Sequence, residues 1–314
     1  MTVQNKVSSL QKQLPHNLTF SSPHYIDEIV INFHITEACN YRCAYCYAHW
    51  SKKGTNELWR HPNGVEKLLY ELARYFFSSD NDLRSVLQWK QVRLSFAGGE
   101  PTLIPHLGHY IERAKQLGFE VSLITNGSRL SPDFLVRHGK QISMLGLSID
   151  SIRADTQKRI GRINRQQIGL SINDFQTIAD KYRHENSAGK VKVNTVVSHE
   201  NYREDLSELI NRTQPDKWKV LKVLPFKGFR TLSDNSFQHF LATHQQFSDF
   251  MSVENNEDMT NSYLMINPHG HFFQNSDLDQ GYDYFESTSI KDVGVEHALH
   301  EIAFDPLKFA KRYS

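Results

Sequence analysis

Residues 36–47 read T-E-A-C-N-Y-R-C-A-Y-C-Y and hold all three cysteines of the chain, Cys39, Cys43 and Cys46, at C-x3-C-x2-C spacing. Thiolates are soft ligands that suit zinc or iron–sulfur clusters. A structural zinc site is closed by four protein ligands, and His49 is a candidate for the fourth. Three thiolates suit instead a 4Fe–4S cluster with one iron left open, able to chelate a small molecule and pass it an electron. Tyr45, between the second and third cysteines, and Tyr47 just beyond are placed to keep water off such a cluster. With no further cysteine in the chain, one cluster of this kind is the limit.

Other short motifs carry polar groups that a ligand can use. G-G-E-P at 98–101 combines an extended glycine pair, Gly98 and Gly99, with a carboxylate, Glu100, suited to an ammonium group. T-N-G-S offers Asn126, S-I-D-S offers Ser148 and Asp150, and R-I-G-R offers Arg162 for a carboxylate or phosphate. Each of these is also an ordinary turn or cap sequence when taken alone. Among the histidines, P-H-G-H at 268–271 reads as a hairpin turn, and none is assigned a catalytic role.

The elements that position these motifs alternate in type. Apolar β-branched runs at 28–35, 92–97, 120–125, 142–150, 190–197 and 218–226 predict six strands. Helical spacing follows most of them, at 63–77, 106–118, 130–139 (Ser131 as N-cap), 172–185 and 202–213. A helix near 236–251, a hairpin at 262–273 and a short helical tail complete the chain. Strands alternating with helices argue a parallel α/β sheet, either an incomplete (β/α) barrel or an open doubly wound sheet. In both, working loops gather at the C-terminal ends of the strands. The cysteine loop, G-G-E-P, T-N-G-S and S-I-D-S follow strands one to four, so a single site is expected in a single domain.

Composition is that of a packed globular chain, with 39% hydrophobic and 23% charged residues. Lys and Arg number 36 against 35 Asp and Glu, so charge lends no support to nucleic-acid binding. No run approaches the roughly 18 apolar residues of a membrane span, and the first 25 residues have no signal-peptide core. A cytoplasmic chain without a membrane partner is expected.

The C-N-Y-R-C-A-Y-C motif after a first strand, with G-G-E-P after the second, resembles the radical S-adenosylmethionine (SAM) superfamily. That resemblance implies a partial (β/α)6 TIM-like barrel, a 4Fe–4S cluster on Cys39, Cys43 and Cys46, and SAM on its open iron. It implies SAM contacts from Tyr45, Gly98, Gly99, Glu100, Asn126, Ser148 and Asp150. The segments V-K-V-N-T-V-V (191–197), P-D-K-W-K-V-L-K-V-L (215–224), N-S-Y-L-M-I-N (261–267) and S-I-K-D-V-G-V-E-H-A (289–298) are together similar to the viperin family, in the same order from about residue 28 to 311. The division expected is a lead-in at 1–27, a barrel core at 28–226 and a C-terminal extension at 227–314. The chain departs from animal viperins in lacking their membrane-binding N-terminal helix. It also stops at K-R-Y-S, short of their longer tail, which leaves residues 275–288 as a possible replacement lid.

The viperin resemblance implies conversion of a ribonucleoside triphosphate (CTP, GTP or UTP) to its 3′-deoxy-3′,4′-didehydro form, an antiviral chain terminator of RNA synthesis. It also implies a flavodoxin- or ferredoxin-type electron donor and a monomeric enzyme. A triphosphate needs converging cations, and Arg93, Arg162, Lys192, Lys217 and Lys219 are the candidates, with Asn32 and Asn194 beside them. Strand alternation puts Arg93 with Ser95 and Ala97, Lys192 with Asn194, and Lys217 with Lys219 on common faces. If those faces point inward, an anion must offset the buried cations; periodicity leaves the outward reading open, and the resemblance favours the inward one. Loss of the 3′-hydroxyl needs an acid, for which the family placement suggests Tyr263 and Lys219. The competing readings are a different single-cluster radical SAM enzyme and a zinc-stabilised binding protein without catalysis.

Overall fold

The computed structural model describes residues 23–46, 56–225, 229–276 and 283–313; His49 and Tyr47 lie outside the described residues. In chain order the first half runs β1 (His24–Thr36), α1 (Gly64–Phe76), β2 (Leu87–Gly98), α2 (Leu107–Gln116), β3 (Glu120–Thr125), α3 (Pro132–His138), β4 (Met144–Ser148), α4 (Ala154–Ile160) and α5 (Ile172–Glu185). The second half runs β5 (Lys190–Val197), α6 (Ser207–Thr213), β6 (Lys217–Lys222), α7 (Asp234–Thr243), β7 (Met251–Glu254), β8 (Leu264–Ile266), β9 (His271–Ser276), β10 (Asp283–Ser289), α8 (Ile290–Val293), α9 (Val295–His300) and α10 (Pro306–Tyr313).

One sheet takes the order β10-β9-β8-β1-β2-β3-β4-β5-β6-β7. Strands β1 to β7 are parallel neighbours in sequence order, as crossover helices require. β8 joins β1 in parallel on the other edge, and β9 and β10 add antiparallel to it. The β8 side of this order meets the β6–β7 side across the interior. Tyr263, just before β8, donates to Glu254 on β7 and accepts from Lys219 on β6. The sheet is therefore curled into a partial barrel.

The apolar layer lies outside the barrel, between strands and helices. Ile29, Ile31, Phe33, Leu94, Phe96, Val121, Leu123, Leu145, Leu147, Val191, Val193, Trp218 and Val220 are all fully buried there. Their alternates in register point inward and are largely polar: Asn32, Ser95 and Ser122 on β1 to β3, and Asn194 and Lys219 on β5 and β6. The helices are held by local chemistry as expected. Ser131 caps α3 by accepting from the Phe134 N–H at 3.2 Å, and Ser171 with Asp174 closes a capping box on α5.

Several sequence expectations need correction. The first strand, expected at 28–35, begins already at His24, because Tyr25 and Ile26 continue the β1 ladder against β2. The helix expected to 251 ends at Thr243, and Met251–Glu254 is instead a seventh parallel strand. The stretch 275–288, considered as a lid, is strand over its described parts, the end of β9 and most of β10.

Candidate active site

Each motif reaches one end of the barrel because its strand ends there. Thr36 closes β1, Gly98 closes β2, Thr125 closes β3 and Ser148 closes β4. The cysteine loop is then clamped from two sides. On one side the Gly99 and Glu100 N–H groups donate to the carbonyls of Thr36 and Ala38, both at 2.8 Å. A side chain at Gly99 would collide with the Ala38 carbonyl, and Gly98 adopts φ +119° against the Thr36 carbonyl. The glycine pair is thus required first by close approach to the cysteine loop, and these two N–H groups are already used. On the other side Arg42 and Ala44 donate to the carbonyls of Gly161 (3.0 Å) and Ile160 (2.8 Å) at the end of α4.

The side chains behind this loop form a continuous polar network. Glu100 is fully buried, and its carboxylate accepts from Thr125 Oγ1 (2.6 Å), the Asn126 N–H (2.7 Å) and both polar groups of Thr102. Burial raises its pKa against the pull of those donors. Asn126 donates to Asn40 at 3.0 Å, and its Nδ2 lies 4.0 Å from the Cys39 sulfur. Asp150 is fully buried and accepts from the Tyr45 hydroxyl, the Arg162 guanidinium and the Val196 N–H (2.8 Å). Arg162 also donates to the Ser148 carbonyl at 3.1 Å. Burial works against the Arg162 charge, but Asp150, with Cys43 and Tyr45 beside it, outweighs that and raises its pKa. Tyr45 is buried and packs edge-on against Phe229 at 5.7 Å.

Cys39, Cys43 and Cys46 are all half-buried and unbridged. Burial raises the Cys39 pKa, against the Tyr41 N–H that its Sγ accepts at 3.4 Å. Burial, outweighing the pull of Arg162, pushes the Cys43 thiol up to about 12, so that this sulfur is suited to a metal that deprotonates it. Among the described residues no three His, Cys, Asp or Glu side chains gather round a single-ion position. Three thiolates that each take a different iron of a cube do not need to. The donor set fits a 4Fe–4S cluster.

A cavity of about 250 Å³ opens beside the cysteines. Cys43, Cys46, Tyr45, Ser148, Asp150 and Arg162 line it, together with Asn32, Lys192, Asn194, Lys219 and Tyr263. The inward reading of the β5 and β6 faces is therefore correct. Lys192 makes no hydrogen bond or ion pair among the described residues. Burial, with Lys219 and Lys217 nearby, drives its pKa well below the usual ammonium range. The Asn194 amide nitrogen is buried without a partner there. Lys219 pairs with Glu254 at 2.6 Å and donates to Tyr263 at 2.8 Å; burial lowers its pKa to about 8.

Two expected nucleotide contacts lie elsewhere. Arg93 points inward but is held by Glu28, at 2.6 Å, with Met144 beside it, and does not line the cavity. Lys217 is paired in register with Lys192 and is half-buried, outside the cavity wall. Residues not anticipated are His34, Asn275, Glu254 and Arg312. His34 follows Asn32 by two positions on β1, so alternation would have found it; burial lowers its pKa to about 3 and keeps it neutral. Glu254 sits on a four-residue strand that reads as a helix end, and no local signal marks it.

The structure has the fold of solved radical SAM enzymes. It superposes on SuiB of Streptococcus suis bound to S-adenosylmethionine with TM-score 0.55 at 13% identity, covering 78% of this chain and 60% of that one. For anSMEcpe with bound AdoMet the TM-score is 0.62 at 15% identity, covering 90% and 84%. The Radical SAM superfamily family model matches residues 33–213. An S-adenosylmethionine-dependent nucleotide dehydratase of Pseudoalteromonas ulvae is 44% identical over 92% of this chain and 94% of its own length. Those of Psychrobacter lutiphocae and Oncorhynchus mykiss are 38% and 30% identical, over 91% and 90% of this chain and 95% and 78% of theirs. The chain belongs to the radical SAM superfamily and, within it, to the S-adenosylmethionine-dependent nucleotide dehydratases. Its cofactors are a 4Fe–4S cluster and SAM.

Proposed function

We propose that this chain removes water from the ribose of a ribonucleoside triphosphate, CTP, GTP or UTP, to leave the 3′-deoxy-3′,4′-didehydro nucleotide. The observation that carries the reading is Lys192, a half-buried inward cation with no hydrogen bond or ion pair among the described residues, beside Lys219 in a cavity also lined by Cys43 and Cys46. A buried ammonium is costly unless an anion accompanies it. A triphosphate supplies that anion, and its sugar hydroxyls supply partners for the orphaned Asn194 nitrogen. The relatives named as nucleotide dehydratases support the same substrate class.

The cluster and SAM, when bound, supply a 5′-deoxyadenosyl radical able to take the 4′ hydrogen of the sugar. The protein's part is to hold the nucleotide. Lys192, Lys219 and Arg162 bind phosphate or sugar oxygens, and Asn32 and Asn194 orient the ribose. Tyr45 and Phe229 keep water from the cysteine side. Tyr45, Ser148, Asn126 and the Gly98–Glu100 turn shape the SAM side, with Asp150 and Glu100 acting through the groups they hold. Elimination of the 3′-hydroxyl as water uses one proton and one further electron from a flavodoxin- or ferredoxin-type donor. The product lacks a 3′-hydroxyl, so it ends an RNA chain into which it is built, an antiviral role. We read the working unit as a cytoplasmic monomer; among the described residues no helix is long and apolar enough to cross a membrane.

Anaerobic incubation of the reduced, reconstituted protein with SAM and each of CTP, GTP, UTP and ATP tests this. The expected result is 5′-deoxyadenosine together with a nucleotide lighter by one water. Unaltered nucleotide in all four, with 5′-deoxyadenosine at background, rejects the reading.

A further inference from the structure

Lys219 and Tyr263, which line the cavity, are tied to Glu254 and Arg312, which do not line it, and the hydrogen bonds among the four have a direction. Glu254 Oε1 receives Lys219 at 2.6 Å and Arg312 Nε at 3.0 Å. Glu254 Oε2 receives the Tyr263 hydroxyl. The Tyr263 oxygen in turn accepts from Lys219 at 2.8 Å. Arg312, carried by α10, stacks 3.7 Å from the Tyr263 ring centroid and donates to the carbonyls of Ser262 (2.8 Å) and Asp258 (2.6 Å). A carboxylate only accepts, a phenol has one proton, and an ammonium has three. The single Tyr263 proton is therefore directed at Glu254. Lys219 gives one proton to Glu254 and one to Tyr263, which leaves its third for the cavity that it lines.

We propose that Glu254 and Arg312 are positioning residues which commit the Tyr263 proton to a carboxylate and so leave Lys219 as the acid for the departing 3′-hydroxyl. The inference rests on the nucleotide reading above. In the step, the C3′–O bond breaks, the oxygen leaves as water with the proton from Lys219 Nζ, and the sugar radical becomes a radical cation. One electron from the external one-electron donor then gives the neutral 3′,4′ double bond. Lys219 is left as a free amine and is reprotonated from solvent.

Electrostatics gives the two positioning residues opposite effects. The groups facing Lys219 are Glu254 on β7, Tyr263 before β8, Arg312 on α10, Lys217 on β6 and Lys192 on β5. Burial lowers the Lys219 pKa to about 8; Glu254 raises it, and Arg312 and Lys217 lower it. An acid near the working pH transfers protons efficiently.

The test uses the reconstituted holoenzyme and reads the ratio of dehydrated nucleotide to 5′-deoxyadenosine against pH. Hydrogen abstraction precedes the acid step, so a failing acid lowers this ratio while 5′-deoxyadenosine still forms. In the wild type the ratio is expected to fall as pH rises through the Lys219 range. Glu254→Gln is expected to move that fall to lower pH by about one unit or more, a tenfold loss of ratio at a fixed pH within the window. Arg312→Gln is expected to move it to higher pH. Shifts in the same direction, or none, overturn the proposal, because a purely structural role has no reason to split them by charge. A ratio that holds or rises in Glu254→Gln makes Tyr263 the acid instead and also overturns it. If Glu254→Gln does not fold, the wild-type profile still decides: a ratio that stays flat through and beyond the Lys219 range overturns the proposal. Wild-type protein that forms no 5′-deoxyadenosine with any triphosphate removes the nucleotide reading and this inference together, whereas unsplit shifts in an active enzyme remove the inference alone.

Discussion

The Glu57 carboxylate accepts the backbone N–H of Glu37 at 2.6 Å, two residues before the first cysteine. The same carboxylate also receives the Thr36 hydroxyl and the Trp59 indole, and is fully buried. A residue that follows the last cysteine in sequence thus fastens the point where the cysteine loop begins. Glu57→Gln replaces one acceptor oxygen with a donor that faces other donors. A cost of about 1–3 kcal/mol in stability is expected from the group left unsatisfied. The specific signature is iron content: reconstituted variant protein is expected to hold less iron per chain than wild type at a temperature where both are folded. Equal iron content and unchanged melting would contradict the fastening role.

Gly161 has φ +84°, and a side chain there would meet the Arg42 carbonyl in the cysteine loop. Gly161→Ala carries a strained backbone, roughly 1–2 kcal/mol for an L-residue in the left-handed region. It must also push the loop away from α4. We expect reduced cluster absorbance and reduced SAM affinity in Gly161→Ala. Gly294 has a similar φ of +83° with nothing within 4 Å of a side chain, so Gly294→Ala is the control. That control is expected to lose stability and keep its cluster.

Lys192→Met is expected to act in opposite directions on two measurements. Nucleotide affinity falls, by tenfold or more for loss of one charge-assisted contact of about 1.5–3 kcal/mol. Stability of the nucleotide-free protein rises by about 1 kcal/mol, because a half-buried ammonium without an ion pair among the described residues is removed. The sign with pH follows from the lowered pKa in the folded state. Between that lowered value and the unfolded value near 10.4, the unfolded chain binds more protons, so Lys192 makes stability rise with pH. The advantage of Lys192→Met over wild type is therefore largest at low pH and shrinks as pH climbs through that window. Denaturant melts at several pH values measure it; a variant less stable than wild type at every pH would show that Lys192 is not an uncompensated cation.

Much of this arrangement was legible in the residues. β3, α5 and β5 fall at the bounds that periodicity predicts, because each is a clean run between turn residues. The cysteine loop, Asn126, Ser148, Asp150 and Arg162 meet because strand ends of a parallel sheet share one side. What could not be read is pairing between distant groups. Nothing local says that Arg93 is held by Glu28, or that the Asp150 and Glu100 carboxylates are engaged by protein donors. β7 escaped notice because M-S-V-E continues an apolar helical spacing, and its register with Trp218 and Lys219 decides the strand. Glu254 and Arg312 meet only when α10 returns to the barrel, a contact 58 residues apart in sequence that no window spans.

On the proposed function, the sugar of a ribonucleoside triphosphate sits in the Lys192–Lys219 cavity with its 4′ carbon turned to the cysteine side. Anaerobic turnover with a 4′-deuterated triphosphate tests it directly. One deuterium is expected in the 5′-deoxyadenosine formed, and a nucleotide product that has lost both water and the label. Unlabelled 5′-deoxyadenosine, or a dehydrated product that keeps its 4′ deuterium, would contradict it.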